Sequence, residues 1–127
     1  MLKTEFYLCE HCGNLIHMIH NSGVPIICCG EKMIKLEAKT ADSATEKHVP
    51  VIEMNGQEIT VTIGSTLHPM VEAHYIQWIY LETTHGGQIH YFKPGDQPVA
   101  RFELASEERV LGAFEYCNLH GLWKNEL

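Results

Sequence analysis

The segment from residue 1 to about residue 36 is too short to bury an adequate core, yet it holds four of the five cysteines in the chain. Pieces of fewer than about 40 residues usually fold only with a metal, a disulfide or a partner. Cys9 and Cys12 stand in a C-x-x-C loop, which points both sulfurs inward. Cys28 and Cys29 are adjacent, and neighbouring residues on a strand face opposite ways. Binding one metal with both therefore requires a turn at that point, which Gly30 helps to make. The alternative is two disulfides or buried free thiols. A disulfide between neighbouring cysteines is strained, so a distorted tetrahedral four-thiolate site is the expected outcome. Four sulfurs alone do not separate iron from zinc. His11, His17 and His20 lie nearby and read as surface residues, since the four thiolates already complete a site.

Composition narrows the function classes. The opening stretch, MLKTEFYLCE, lacks the basic and apolar regions of a signal peptide, so a cytoplasmic location is expected, where structural disulfides are rare. No apolar run is long enough to cross a bilayer, so no membrane partner is expected. The net charge of −7, with nine Lys and Arg spread along the chain, argues against nucleic acid as a partner. A small anion is compatible with that charge if a local positive spot overcomes the overall field.

Beyond a polar segment from Lys39 to Lys47 that reads as a linker, the chain looks all-β. Ile59 to Ile63 alternates and is β-branched. Ala73 to Leu81, Gln88 to Lys93, Pro98 to Leu104 and Val110 to Cys117 are further strand candidates. Turn signals at Asn55-Gly56, Gly86-Gly87 and Pro94-Gly95 space them as in a sandwich or barrel. Ala105 to Val110 has the composition of a helical turn, which Gly112 keeps from extending.

The fifth cysteine, Cys117, stands three residues before His120 in a chain with nine histidines. Taken singly, a Cys-x-x-His loop or an isolated histidine in a β domain is ordinary. His48 in EKHVP, His68 in TLHPM, His74 in EAHYI and His120 in CNLHG form a combination that is not.

That combination resembles the desulfoferrodoxins, the two-iron form of superoxide reductase, over nearly the whole chain. The small segment is similar to a desulforedoxin domain through CEHCGN (residues 9–14) and ICCGEKM (residues 27–33). The remainder is similar to the catalytic domain through EKHVP, STLHPM, EAHYI and CNLHGLW, in the family's order. The resemblance implies an all-β fold: a small metal-stabilised desulforedoxin-like domain over residues 1–37, then an immunoglobulin-like β-sandwich or barrel over residues 38–127. It implies two iron ions per chain. Cys9, Cys12, Cys28 and Cys29 would hold the first as Fe(Cys)4. His48, His68, His74 and His120 would supply four equatorial nitrogens to the second, and Cys117 its axial sulfur, in a square-pyramidal Fe(His)4(Cys) centre. Glu46 would reach the open position after oxidation, and Lys47 would lie beside it. His85 and His90 match no ligand and read as structural or exposed.

The implied activity is one-electron reduction of superoxide to hydrogen peroxide, for superoxide detoxification. An iron(II) ion with one thiolate and neutral imidazoles carries a charge of +1, and Lys47 adds another, so the site attracts an anion despite the negative chain. Each turnover needs an outside electron, by resemblance from rubredoxin or a similar donor, and the resemblance implies a homodimer. The first iron either relays that electron or only holds its domain together. The competing readings are a rubredoxin-like electron carrier or metal-storage module, with the four-cysteine site active and the histidines structural, and a structural zinc-binding module.

Overall fold

The structure is a computed structural model that describes residues 1–41, 47–64 and 68–127. Glu46 and residues 65–67 of the STLHPM motif lie outside the described residues. No helix occurs among the described residues, and none is therefore long and apolar enough to cross a membrane. The chain divides into two compact units, Lys3–Glu37 and Met1–Leu2 with Ala38–Leu127.

The small unit consists of β1 (Glu5–Leu8), β2 (Leu15–Met18), β3 (Ile27–Cys28), β4 (Glu31–Lys32) and β5 (Ile34–Lys35). Strands β2, β1 and β5 form one antiparallel sheet, and β3 with β4 a separate hairpin. Its buried side chains are Phe6, Cys9 and Met33. Three side chains bury too little apolar surface to hold 35 residues. The thiolates therefore carry structural weight.

The large unit is a β-sandwich. Its first sheet is ordered β10-β7-β6, from β6 (Pro50–Asn55), β7 (Glu58–Ile63) and β10 (Val99–Glu103). The second is ordered β12-β11-β8-β9, from β8 (Ile76–Thr83), β9 (Gly86–Tyr91), β11 (Val110–Cys117) and β12 (Gly121–Glu126). Seven antiparallel strands in a three-plus-four arrangement are the layout of an immunoglobulin-like sandwich. The core lies between the sheets. Ile59, Val61, Ile63, Ala100 and Phe102 from the first meet Ile76, Ile79, Leu81, Ala113 and Cys117 from the second. The alternation read in Ile59–Ile63 does this work: its isoleucines and valine are buried and its threonines half-buried. On the other face of the second sheet, cross-strand aromatic pairs add packing: Trp78 stacks on Tyr116 at 5.8 Å and Tyr80 meets Phe114 at 6.4 Å.

Several local expectations are corrected. The β8–β9 hairpin turns at Thr84-His85, because Gly86 and Gly87 are the first residues of β9 and pair with Thr83 and Glu82. Gly87 is needed for space: a Cβ there would collide with the Tyr80 ring. Strand β8 starts at Ile76, so residues 73–75 are loop. Ala105–Glu108 is a β-turn closed by Glu108 N–H to the Ala105 carbonyl at 3.1 Å, and Val110 already belongs to β11. Lys39, read as linker, pairs with Trp123 in a parallel bridge. Strands β6 and β12 were not expected. The Asn55-Gly56 signal holds: the two-residue loop is Gly56-Gln57, with Gly56 at φ = 64°, at the loop position that a type II′ turn reserves for glycine.

Candidate metal centres

In the small unit, Cys9 begins a loop whose ends are tied: its N–H donates to the Asn14 carbonyl at 2.8 Å, and its carbonyl accepts from Gly13 N–H at 2.9 Å. The turn at the second cysteine pair is sharper. Cys28 pairs with Glu31, which leaves Cys29 and Gly30 as a two-residue hairpin loop at φ = 53° and 76°. Cys29 is the one non-glycine residue with positive φ among the described residues. That conformation is costly for a side chain, and it is what lets adjacent cysteines face one point. All four sulfurs lie within 4.8 Å of one another, and Cys12 Sγ is 3.6 Å from Cys28 Sγ. Metal–sulfur bonds of about 2.3 Å in a tetrahedron put sulfurs about 3.8 Å apart, so the donor set fits a single ion. Backbone N–H groups of Cys12 and then His11 hold the Cys9 thiol down to about 6, whereas the sulfurs of Cys12 and Cys9 push Cys29 up to about 12. A cation at the centre removes that conflict by favouring every thiolate. Asn14 Nδ2 also points at Cys28 Sγ, at 3.7 Å.

The second cluster sits in the sandwich. Cys117 ends β11 fully buried, and three loop residues later Gly121 (φ = 82°) opens β12, so His120 projects from the loop between them. His48 precedes β6, while His68 and His74 lie on the segment before β8. Ligand atoms of His48, His68, Cys117 and His120 all lie within 4.8 Å of one another. His74 joins through its ring. Successive centroids are 4.4 Å (His48–His68), 4.7 Å (His68–His74), 5.1 Å (His74–His120) and 5.0 Å (His120–His48). Four imidazoles thus form a closed circuit, each steeply tilted to the next. Nδ1 of His120 faces Cys117 Sγ at 3.9 Å.

Hydrogen bonds set which nitrogens face inward. His48 Nδ1 lies 3.1 Å from Oε2 of the fully buried Glu115. A carboxylate there accepts, so the proton sits on Nδ1 and Nε2 keeps its lone pair, as in other carboxylate–histidine–metal arrangements. His68 Nδ1 likewise donates to the Pro69 carbonyl at 2.7 Å. Trp123 stacks flat on His48 at 4.5 Å and 10°, and its Nε1–H donates to the His120 carbonyl at 3.2 Å. Asn118 stitches the two loops: Oδ1 accepts from Tyr75 N–H at 2.9 Å and Nδ2 donates to the Ala73 carbonyl at 3.0 Å, on either side of His74. Imidazoles with fixed lone pairs plus one buried sulfur are a donor set that suits iron.

Lys47 is half-buried beside His48. The remaining histidines stay outside both clusters. His11 lies 3.0 Å from Glu31, His17 meets Phe6 at a tilt, His20 is exposed, His85 is 3.9 Å from Glu108, and His90 packs on Phe92. Sequence reasoning did not single out Glu115, Trp123 and Asn118 as individual contributors. A signal for Glu115 existed: it lies two residues before Cys117 on a strand, so an inward cysteine implies an inward carboxylate.

Residues 40–126 match the family model for desulfoferrodoxin, and residues 2–36 match that for the desulfoferrodoxin N-terminal domain. The chain belongs to the desulfoferrodoxin family. It is 47% identical to a desulfoferrodoxin of Nitratidesulfovibrio vulgaris, over 98% of this chain and 97% of the relative. It is 35% identical to a superoxide reductase of Pyrococcus horikoshii, covering 75% of this chain and 97% of that protein. Among solved structures, the superoxide reductase from Treponema pallidum superposes with a TM-score of 0.85 at 34% identity, covering 98% of each chain. The two clusters match the two iron centres of desulfoferrodoxins.

Proposed function

We propose that this chain is a superoxide reductase, acting at the His48, His68, His74, His120 and Cys117 cluster. The observation that carries the reading is the closed circuit of four imidazoles beside a single buried sulfur. Iron held there supplies one electron per superoxide, which with two protons gives hydrogen peroxide. Everything else falls to the protein. Glu115 and the Pro69 carbonyl fix the imidazole tautomers. Asn118 keeps the His74 loop in register with the Cys117–His120 loop. Because His120 is exposed and His74 half-buried, whereas Cys117 and His48 are buried, a small anion reaches the cluster from its His74–His120 edge. Lys47 provides positive charge beside His48, and Glu46, by resemblance to the family, would be the acid able to reach the open position after oxidation.

On this reading residues 38–127 form the catalytic domain and residues 1–37 an Fe(Cys)4 domain, whose iron relays electrons or serves structure alone. The electron donor is rubredoxin or a similar small one-electron carrier, the assembly a homodimer and the location cytoplasmic. An electron carrier or a zinc module would leave the imidazole circuit without a role. The test is superoxide consumption by the reduced, iron-loaded protein. The expected result is one peroxide per superoxide with no oxygen evolved; oxygen evolution, or no consumption with both sites loaded, defeats the proposal. Lys47→Ala should slow the reaction at low salt and weaken its salt dependence.

A further inference from the structure

Lys39 lies in a stretch that reads as linker, yet its backbone is fixed. Its N–H donates to the Leu122 carbonyl at 2.9 Å, and its carbonyl accepts from Lys124 N–H at 2.9 Å, which sets Lys39 against Trp123. The side chain, though exposed, also has two partners. Nζ donates to the carbonyl of His120 at 3.0 Å and stands 5.0 Å from the centre of the Trp123 ring. The same carbonyl accepts from Trp123 Nε1 at 3.2 Å, and the indole lies flat on His48. One ammonium group therefore contacts the peptide of one member of the imidazole circuit and the ring that backs another.

We propose that Lys39 is a positioning residue of the histidine–cysteine centre, a fixed cation that raises the centre's reduction potential and its attraction for anions. This deepens the function proposed above and rests on iron occupying that cluster. Oxidation adds one positive charge to the centre. A nearby fixed cation therefore disfavours the oxidised form, and the same charge draws an anionic substrate inward in a chain of net charge −7. The geometry suits a cation more than a neutral donor: the indole face attracts the ammonium, and a charged donor to a carbonyl is the stronger kind.

The experiment separates charge from hydrogen bonding. Lys39→Gln retains a donor without charge, Lys39→Met retains neither, and Lys39→Arg retains both along with the affinity for the indole. Each iron-loaded variant is titrated spectroelectrochemically, with the four-cysteine centre as an internal reference, and azide binding to the oxidised form is measured at low and high salt. The expected result is a lowered potential at the histidine–cysteine iron in Gln and Met, with the Arg variant near wild type. Azide affinity should fall about two- to fivefold in Gln and Met at about 10 mM salt, the difference fading at about 0.5 M, where screening reaches only a few Å. An unshifted potential in Lys39→Gln overturns the proposal, as does an equal shift in the Arg variant, which would indicate lost packing. Failure of the functional reading looks different: the wild type itself would hold no iron at the cluster, or would hold it and consume no superoxide.

Discussion

Glu115 offers the most direct test of how this centre is built. Its carboxylate and the His48 ring are both buried, at 0% and 2% exposure, and 3.1 Å apart. With the carboxylate present, the imidazole proton is held on Nδ1 and Nε2 stays available. Glu115→Gln keeps the volume and one acceptor but loses the charge. A charge-assisted hydrogen bond contributes about 1.5–3 kcal/mol and a neutral one about 0.5–1.5 kcal/mol, so the loss is about 1–1.5 kcal/mol, or roughly tenfold in metal affinity. Glu115→Leu removes the acceptor as well, leaves either tautomer open to the ring, and should weaken binding by up to about 100-fold. The assay is release of ferrous iron to a strong chelator, followed through the separate optical bands of the two centres. The four-cysteine centre belongs to the other compact unit and serves as the control. Both variants should lose iron from the histidine–cysteine centre faster, Leu more than Gln, with the four-cysteine centre unchanged. Release at the wild-type rate from both variants would refute the tautomer argument.

Three further outcomes follow from the geometry. Cys117→Ser should abolish the sulfur-to-iron absorption of the histidine–cysteine centre and leave the spectrum of the four-cysteine centre intact, as read by difference spectroscopy. Gly87→Ala should destabilise the large unit by about 1–3 kcal/mol, seen as a lowered thermal midpoint, because the added Cβ meets the Tyr80 ring. Thr83 donates to Glu108, and that bond, followed by the Ala105 N–H, lowers the Glu108 carboxyl below its usual 4.5. A depressed carboxylate stabilises the fold above the unfolded-state value and loses that contribution as pH falls through its own. Thr83→Val should therefore raise the Glu108 titration toward 4.5 in carboxyl NMR and remove part of the acid-side loss of stability below that pH.

The parts of this molecule legible in its sequence are those where residue type dictates chemistry locally. Four clustered cysteines in a segment without a core announce a metal, and the β-branched alternation of Ile59–Ile63 announces a strand with one buried face. What stayed hidden depends on partners distant in the chain. Strand β6 is an edge strand whose residues after Pro50 are mostly exposed, so it carries no alternating pattern. Lys39 has linker composition and becomes ordered only because β12 supplies backbone partners. Gly86-Gly87 has the look of a turn, but Gly87 is small to clear Tyr80, a demand that appears only once β8 and β9 pair. The four histidines and Cys117 were legible as one set through the family resemblance, but what holds them was not: the set is assembled from a segment before β6, another before β8 and the β11–β12 loop, and supported by Glu115, Trp123 and Asn118.

The burial of Cys117 bears on how long such a catalyst lasts. Hydrogen peroxide oxidises exposed thiolates stepwise to sulfenic and then irreversible acids, and the proposed reaction makes it at the cluster. Cys117 is fully enclosed in the sandwich core with Ile59, Ile76 and Ala113, so oxidant arriving from bulk solvent reaches that sulfur only through the cluster itself. Cys12 and Cys29, which are exposed, have no such shelter. Oxidative wear should therefore begin at the four-cysteine centre, and the protein should retain a working catalytic iron after its small unit has begun to fail.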